Sequence, residues 1–189
     1  MLGTAIDRAA EAITEGRDTV QGLRTAASHL NQLEDALGLL AEELAKDSGH
    51  ALAAQVRVQG EPQSLHPLMR DESFHIAGEA LRNAFRHAEA KQIDVEVCYE
   101  PRQLRVLVRD DGRGIAAEVL QRGGKEGHFG LSGMRERAEL VGGRLSLRSA
   151  RDTGTAVEFT APASRAYRRS SQPRWRLPFH KHASSEIGE

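Results

Sequence analysis

The sequence predicts an α+β domain: a two-layer sandwich with three helices over one face of a mixed, largely antiparallel sheet, preceded by one further helix. Three observations carry that prediction. Ile93, Val95, Val97 and Tyr99 alternate with Asp94, Glu96 and Cys98, and past Pro101-Arg102 the residues Leu104, Val106 and Val108 alternate with Arg105, Leu107 and Arg109, which together read as a hairpin. A second hairpin follows in Arg144–Ser149 and Thr155–Ala161, joined by Arg151-Asp152-Thr153-Gly154. Before and between these segments, apolar residues recur at helical spacing in three places.

A chain of 189 residues is long enough for one domain with a substantial core and a short attached element. The net charge of −1 is near neutral, but the ends differ. Residues 1–60 hold nine acids against five bases, and residues 162–189 hold six bases against two acids. A basic tail invites a nucleic-acid or membrane partner. This one carries a single Trp and no amphipathic repeat, so neither partner is expected and 165–189 is expected to be disordered. The single Cys98 cannot form an intrachain disulfide and suits a reducing, cytoplasmic setting. The N-terminus has no basic region followed by an apolar core, and no apolar run reaches membrane-spanning length; a membrane-bound parent receptor stays compatible with this.

In chain order, Ile6, Ala9, Ile13, Gly16, Val20, Leu23, Ala27 and Leu30 alternate spacings of three and four, a heptad seam that calls either for a partner helix or for packing on the chain's own domain. Gly16 and Gly22 weaken that helix by roughly a kcal/mol each. Asn31 with Glu34 has the form of a helix cap, and Leu33, Leu37, Leu40 and Leu44 make one stripe through Lys46. Gln55–Val58 alternates as a short strand. Pro67 suits the first turn of a long helix that reaches about Ala90. The two hairpins then enclose a polar segment, Ile115 to Gly127, read as a mobile lid, and a helix over Met134–Val141 that stops at Gly142-Gly143.

Three stretches carry chemistry. On the long helix Glu79, Asn83 and His87 lie four apart on one face, away from the apolar stripe of Phe74, Ala77, Leu81, Ala84 and Ala88. An amide oxygen is a hard ligand that suits Mg²⁺ on a triphosphate, and a carboxylate one turn away orients water or accepts its proton. The same residues also suit the solvated face of an ordinary amphipathic helix. The strand ending in Asp110-Asp111-Gly112-Arg113-Gly114 places an acceptor for an exocyclic amine beside glycines that let the backbone approach a flat ligand, although Asp-Gly is also the commonest hairpin signal. Gly127, Gly130 and Gly133 then open onto a helix, whose free N–H groups and positive dipole end favour a phosphate.

These residues carry a resemblance. Glu79-x-x-x-Asn83, Asp110-Asp111-Gly112-Arg113-Gly114, Gly127-x-x-Gly130-Leu131 with Met134-Arg135-Glu136-Arg137, and Gly154-Thr155 resemble, in order and spacing, the boxes of the GHKL ATPase superfamily of gyrase, MutL and histidine kinases, whose fold is the Bergerat sandwich. The segments around Asn83 and Gly130 resemble in particular the sensor histidine kinases that signal to LuxR-type response regulators. The resemblance implies that Asn83 coordinates Mg²⁺, that Glu79 is the polarising or proton-accepting group, and that Asp110 reads the adenine amine of ATP with support from Thr155. It implies further that Gly112 and Gly114 flank the base, and that Gly127, Gly130, Leu131 and Gly133 belong to a lid over the phosphates, with Arg86 and His87 near them. Residues 1–30 resemble the second helix of a kinase dimerisation hairpin, so that 31–164 is the ATP-binding domain and Ile6–Leu30 a possible homodimer seam.

The implied activity is transfer of the ATP γ-phosphoryl to a histidine, from which a response-regulator aspartate takes it. In that family the acceptor histidine is followed by an acidic residue, whereas none of the eight histidines here has Asp or Glu after it. The expected protein is therefore a catalytic part that begins partway through the hairpin and phosphorylates a histidine outside the chain. The alternatives are a non-catalytic nucleotide-binding module that docks through the Ile6–Leu30 seam, and a serine kinase of the anti-sigma type.

Overall fold

The computed structural model describes residues 32–48, 53–115 and 129–168. The Ile6–Leu30 seam, Asn31, the expected lid segment after Ile115 and the tail beyond Arg168 lie outside them. In order come α1 (Leu33–Ser48), β1 (Ala53–Gln59), α2 (Pro67–His87), β2 (Gln92–Tyr99), β3 (Gln103–Asp110), α3 (Phe129–Leu140), β4 (Arg144–Ser149), β5 (Thr155–Pro162) and the short α4 (Ala163–Ala166). The strands form one sheet in the order β1-β2-β3-β5-β4. β1 runs parallel to β2, with α2 as the crossover, and the other pairs are antiparallel, so the sheet is mixed as expected.

The two-residue period of the strands fills the core. Ile93, Val95, Val97 and Tyr99 of β2 lie opposite Asp110, Val108, Val106 and Leu104 of β3, and these in turn face Thr155, Val157, Phe159 and Ala161 of β5. The apolar members of that set are buried beneath Leu33, Leu37 and Leu40 of α1 and Ile76, Leu81 and Ala84 of α2. Asp110 is the last member of β3's buried row, so the same alternation that builds the core carries one carboxylate to its edge.

Several boundaries moved. The expected cap rests on Asn31, which lies outside the described residues; Glu34 itself is buried, and its Oε2 accepts a 2.6 Å hydrogen bond from the Tyr99 hydroxyl. This gives a buried carboxylate a partner, which an interior position demands. α2 stops at His87 because the Ala88 carbonyl accepts from the Arg113 N–H at 2.8 Å and Glu89 turns to a φ of 53°. α3 begins at Phe129, five residues before the expected Met134, so Gly130 and Gly133 stand inside the helix and not in a loop ahead of it. At the other end the domain runs past the expected boundary at Ser164. Ala166 and Tyr167 are buried, and the Tyr167 hydroxyl reaches the carbonyls of Glu100 and Gln103 at 3.0 and 2.8 Å. An aromatic ring that closes the β2–β3 turn is part of the core, whatever the composition around it.

Candidate functional site

Between the helical layer and the sheet lies a cavity of about 640 Å³. From α2 it is lined by Glu79, Asn83, Arg86 and His87, from the sheet by Asp110 and Thr155, from the loop after β3 by Arg113, Gly114 and Ile115, and from α3 by Gly130, Leu131 and Met134. Val108, Leu147 and Val157 supply an apolar floor, and Ala80, Ala84 and Ala88 the opposite wall. Small residues on α2 at that spacing leave room beside the helix, which a Leu at the same positions would fill.

Nine of the twelve residues singled out from sequence therefore meet in one place: Glu79, Asn83, Arg86, His87, Asp110, Gly114, Gly130, Leu131 and Thr155. Gly112 and Gly133 do not line the cavity, and Gly127 lies outside the described residues. Gly112 is required by packing: a Cβ there would run into the carbonyl of Ala88 at the end of α2. Gly114 has a φ of +68° and would likewise strike the Ala150 carbonyl, so the fold accounts for it before any ligand does. Gly130 is set by the site itself. Its Cβ would stand 2.6 Å from Glu79 Oε1 and 3.5 Å from Asn83 Nδ2, so a larger residue in the first turn of α3 would push the Glu79 carboxylate out of its present place.

The two aspartates in sequence have separate duties. Asp111 is exposed, and its Oδ1 accepts from the N–H groups of Lys91 and Gln92 at 2.8 and 2.9 Å, pinning the start of β2. Those backbone donors hold its carboxyl below the usual value. Asp110 is buried, and burial pushes its carboxyl up, against the N–H groups of Gly112 and Thr155, which both donate to Oδ1 at 2.9 and 3.2 Å. Because both donors fall on Oδ1, the remaining acceptor capacity is on Oδ2. An acidic group kept buried with no cation paired to it among the described residues is a functional arrangement more than a stabilising one.

On α2 the Glu79 carboxylate is held by Arg82, one turn along, at 3.3 and 3.4 Å. Arg137 of α3 donates to Glu72 of α2 at 2.9 Å, which ties the far half of α3 to the same helix. Among the described residues no cluster of three or more His, Cys, Asp or Glu side chains could cage a metal ion.

Sequence reasoning missed Ser149. Its cross-strand partner is Thr155, whose own partner on the other side is Asp110, so Asp110, Thr155 and Ser149 form one polar row across β3, β5 and β4. A signal was present: Ser149 ends the stripe Leu145-x-Leu147-x-Ser149 as Asp110 ends Val106-x-Val108-x-Asp110, a polar residue where the period calls for an apolar one.

The family described as histidine kinase-, DNA gyrase B-, and HSP90-like ATPase matches residues 70–165. Sensor histidine kinase YdfH of Bacillus subtilis (strain 168) is 28% identical over 131 residues, which is 69% of this chain and 31% of that protein. The chain thus spans about a third of the length of that relative. Among solved structures, the histidine kinase domain from the Erythrobacter litoralis EL346 blue-light activated histidine kinase matches with a TM-score of 0.59 at 28% identity, over 70% of this chain and 62% of that one. The EL346 blue-light activated histidine kinase itself matches with a TM-score of 0.55 at 28% identity, over 70% and 42%.

Proposed function

The chain belongs to the histidine kinase-, DNA gyrase B-, and HSP90-like ATPase family, and on that footing we propose that it is the ATP·Mg²⁺-binding catalytic part of a two-component sensor histidine kinase. It passes the γ-phosphoryl of ATP to a histidine supplied by another helix or chain. One observation carries the reading: the helical layer brings Glu79 and Asn83, and the sheet brings Asp110 and Thr155, to a single cavity with an apolar floor.

Adenine lies on Val108, Leu147 and Val157, and its amine donates to Asp110 Oδ2. The phosphates extend toward Asn83 and the first turn of α3, where the positive end of the helix dipole favours negative charge. The donor set fits Mg²⁺, an ion that keeps several waters and phosphate oxygens in its shell and takes only one or two protein ligands, here the Asn83 amide oxygen with Glu79 beside it. When bound, it neutralises charge on the phosphates. Glu79, held by Arg82, orients water or takes the proton from the incoming imidazole as the bond from the γ-phosphorus to the bridging oxygen breaks and ADP leaves. Arg86 and His87 are exposed at the rim, where they meet the outer phosphates.

The acceptor helix, a LuxR-type response regulator as the next carrier of the phosphoryl group, a cytoplasmic setting, and a homodimer through Ile6–Leu30 belong to the same proposal. They are supported by the likeness to sensor kinases and by the absence of a His-acid pair from this sequence. The test is incubation with γ-labelled ATP, alone and with a separate acceptor hairpin. Label on the hairpin only is the expected result. Label on the chain alone would refute the external acceptor, and ATP binding with no transfer would favour a regulatory nucleotide-binding module.

A further inference from the structure

We propose that Ser149 is a positioning residue that sets which base the cavity accepts, by taking the hydroxyl proton of Thr155 and leaving that hydroxyl as an acceptor only. The inference rests on the nucleotide-binding reading above. It follows from counting protons. The Ser149 hydroxyl has one hydrogen and two lone pairs. It donates to the Gly154 carbonyl at 2.9 Å and accepts from the Ile115 N–H at 2.8 Å. Its remaining contact, 2.9 Å from Thr155 Oγ1, must then be filled by the Thr155 proton, because the Ser149 proton is already placed. Thr155 is left with lone pairs to offer the cavity that it lines.

Thr155 is the cross-strand partner of Asp110, and its N–H donates to Asp110 Oδ1. The polar end of the cavity thus presents two neighbouring acceptors, Asp110 Oδ2 and Thr155 Oγ1, and no side-chain donor from either. A base with an amine at this edge has hydrogens for both. A base with a carbonyl in the same place sets an oxygen against two oxygens, and without a donor beside it that arrangement is disfavoured. Ser149 never touches the base in this scheme. It acts through Thr155.

The experiment compares ATP with ITP, which differ at this position by amine against carbonyl, on the 189-residue chain by calorimetry. The parent is expected to prefer ATP. In Ser149→Ala the Thr155 proton is released and can turn to a carbonyl, so the preference should fall by about tenfold, the factor that one ordinary hydrogen bond carries, and part of the fall should come from tighter ITP binding. Ser149→Thr keeps the hydroxyl and should restore the preference. A merely structural role for Ser149 predicts instead that ATP and ITP weaken by the same factor, and that result overturns the inference. Should Ser149→Ala fail to fold, Thr155→Val decides: ATP weakened with ITP unchanged supports the scheme, and equal loss of both sinks it. A parent that binds neither nucleotide refutes the proposed function as well. A parent that prefers ATP, with a ratio Ser149→Ala leaves untouched, refutes this inference alone.

Discussion

On the face of the sheet turned away from the helices, carboxylates stand beside guanidinium groups. Asp94 lies 3.1 Å from Arg57, Glu96 3.5 Å from Arg105, and Glu158 4.0 and 3.6 Å from Arg105 and Arg148. On the helical face, Asp110 is 6% exposed, and among the described residues no cation pairs with it. The first set is partly hydrated and paired, so charge there costs the fold little and gains it little. The second is desolvated and relies on two backbone N–H groups. A carboxylate that the fold would be more stable without is one kept for a ligand, and the contrast separates structural from functional charge within one sheet.

The largest expected break in this contrast comes from α2. Asn83→Ala should lower Mg²⁺-dependent ATP affinity by about a hundredfold or more, since even residues behind a metal ligand cost ten- to a hundredfold when removed. Thermal stability should barely move, because the Asn83 side chain makes none of the hydrogen bonds found among the described residues. Calorimetry with and without Mg²⁺ checks this. Affinity that stays at the parent level would remove Asn83 from the site.

Asp110→Asn sharpens the comparison. The amide keeps an oxygen for Gly112 and Thr155 while removing the buried charge, so the ligand-free chain should be as stable as the parent or more so, and ATP should bind more weakly by about 1–3 kcal/mol. The pH dependence has a definite sign. The raised carboxyl of Asp110 binds more protons in the folded state than in the unfolded one, so its contribution to stability falls as pH rises from the ordinary carboxylate value through the raised folded value. The advantage of Asp110→Asn should therefore be full at neutral pH and should shrink in acid. A variant less stable than the parent at pH 7 would mean that the charge itself holds the loop.

Much of this arrangement could be read before any coordinates. Alternation along Leu104-Val106-Val108 already sends Asp110 to the buried face, because side-chain direction in a strand depends only on parity. The row that joins Asp110 to Thr155 and Ser149 could not be read, because register across three strands is set by hairpin geometry and not by local pattern. Gly130 is a parallel case. Its neighbours Glu79 and Asn83 come from a helix some fifty positions earlier, so the sequence suggested a loop where two helices approach closely and the glycine stands within one of them. Gly112 erred the other way, looking like ligand clearance while serving the end of α2. Tyr167 sits in a basic stretch that composition assigns to disorder, yet one ring with two carbonyls in reach anchors it.

Asp111→Ala is the mirror of the change at Asp110. It removes the acceptor for two backbone donors at the start of β2, so stability should drop by about 0.5–1.5 kcal/mol while ATP affinity stays within error. The folded carboxyl is lowered, so the stability it supplies is present above the ordinary carboxylate value and is lost as pH falls through the folded value. The gap between parent and Asp111→Ala should close in acid from the opposite direction to that of Asp110→Asn. Denaturant melts at several pH values read both, and weakened ATP binding in Asp111→Ala would show that the two aspartates act as one group.

The smallest effect is expected on the outer face. Arg148 is 73% exposed and meets Glu158 at 3.6 Å, and Glu158 has a second cation in Arg105 at 4.0 Å. Arg148→Ala removes a solvent-screened partner from a carboxylate that keeps the other, so stability should change by no more than about 0.5 kcal/mol. Whatever change appears should vanish near 1 M salt, where the screening length falls to about 3 Å. ATP affinity should not change, because the side chain lies on the opposite side of the sheet from Leu147, which lines the cavity. The measurement is informative because its expected value is close to zero. A salt-insensitive loss, or a shift in ATP affinity, would mean that β4 transmits between the faces and that the charges outside the cavity are not independent of the ones within it.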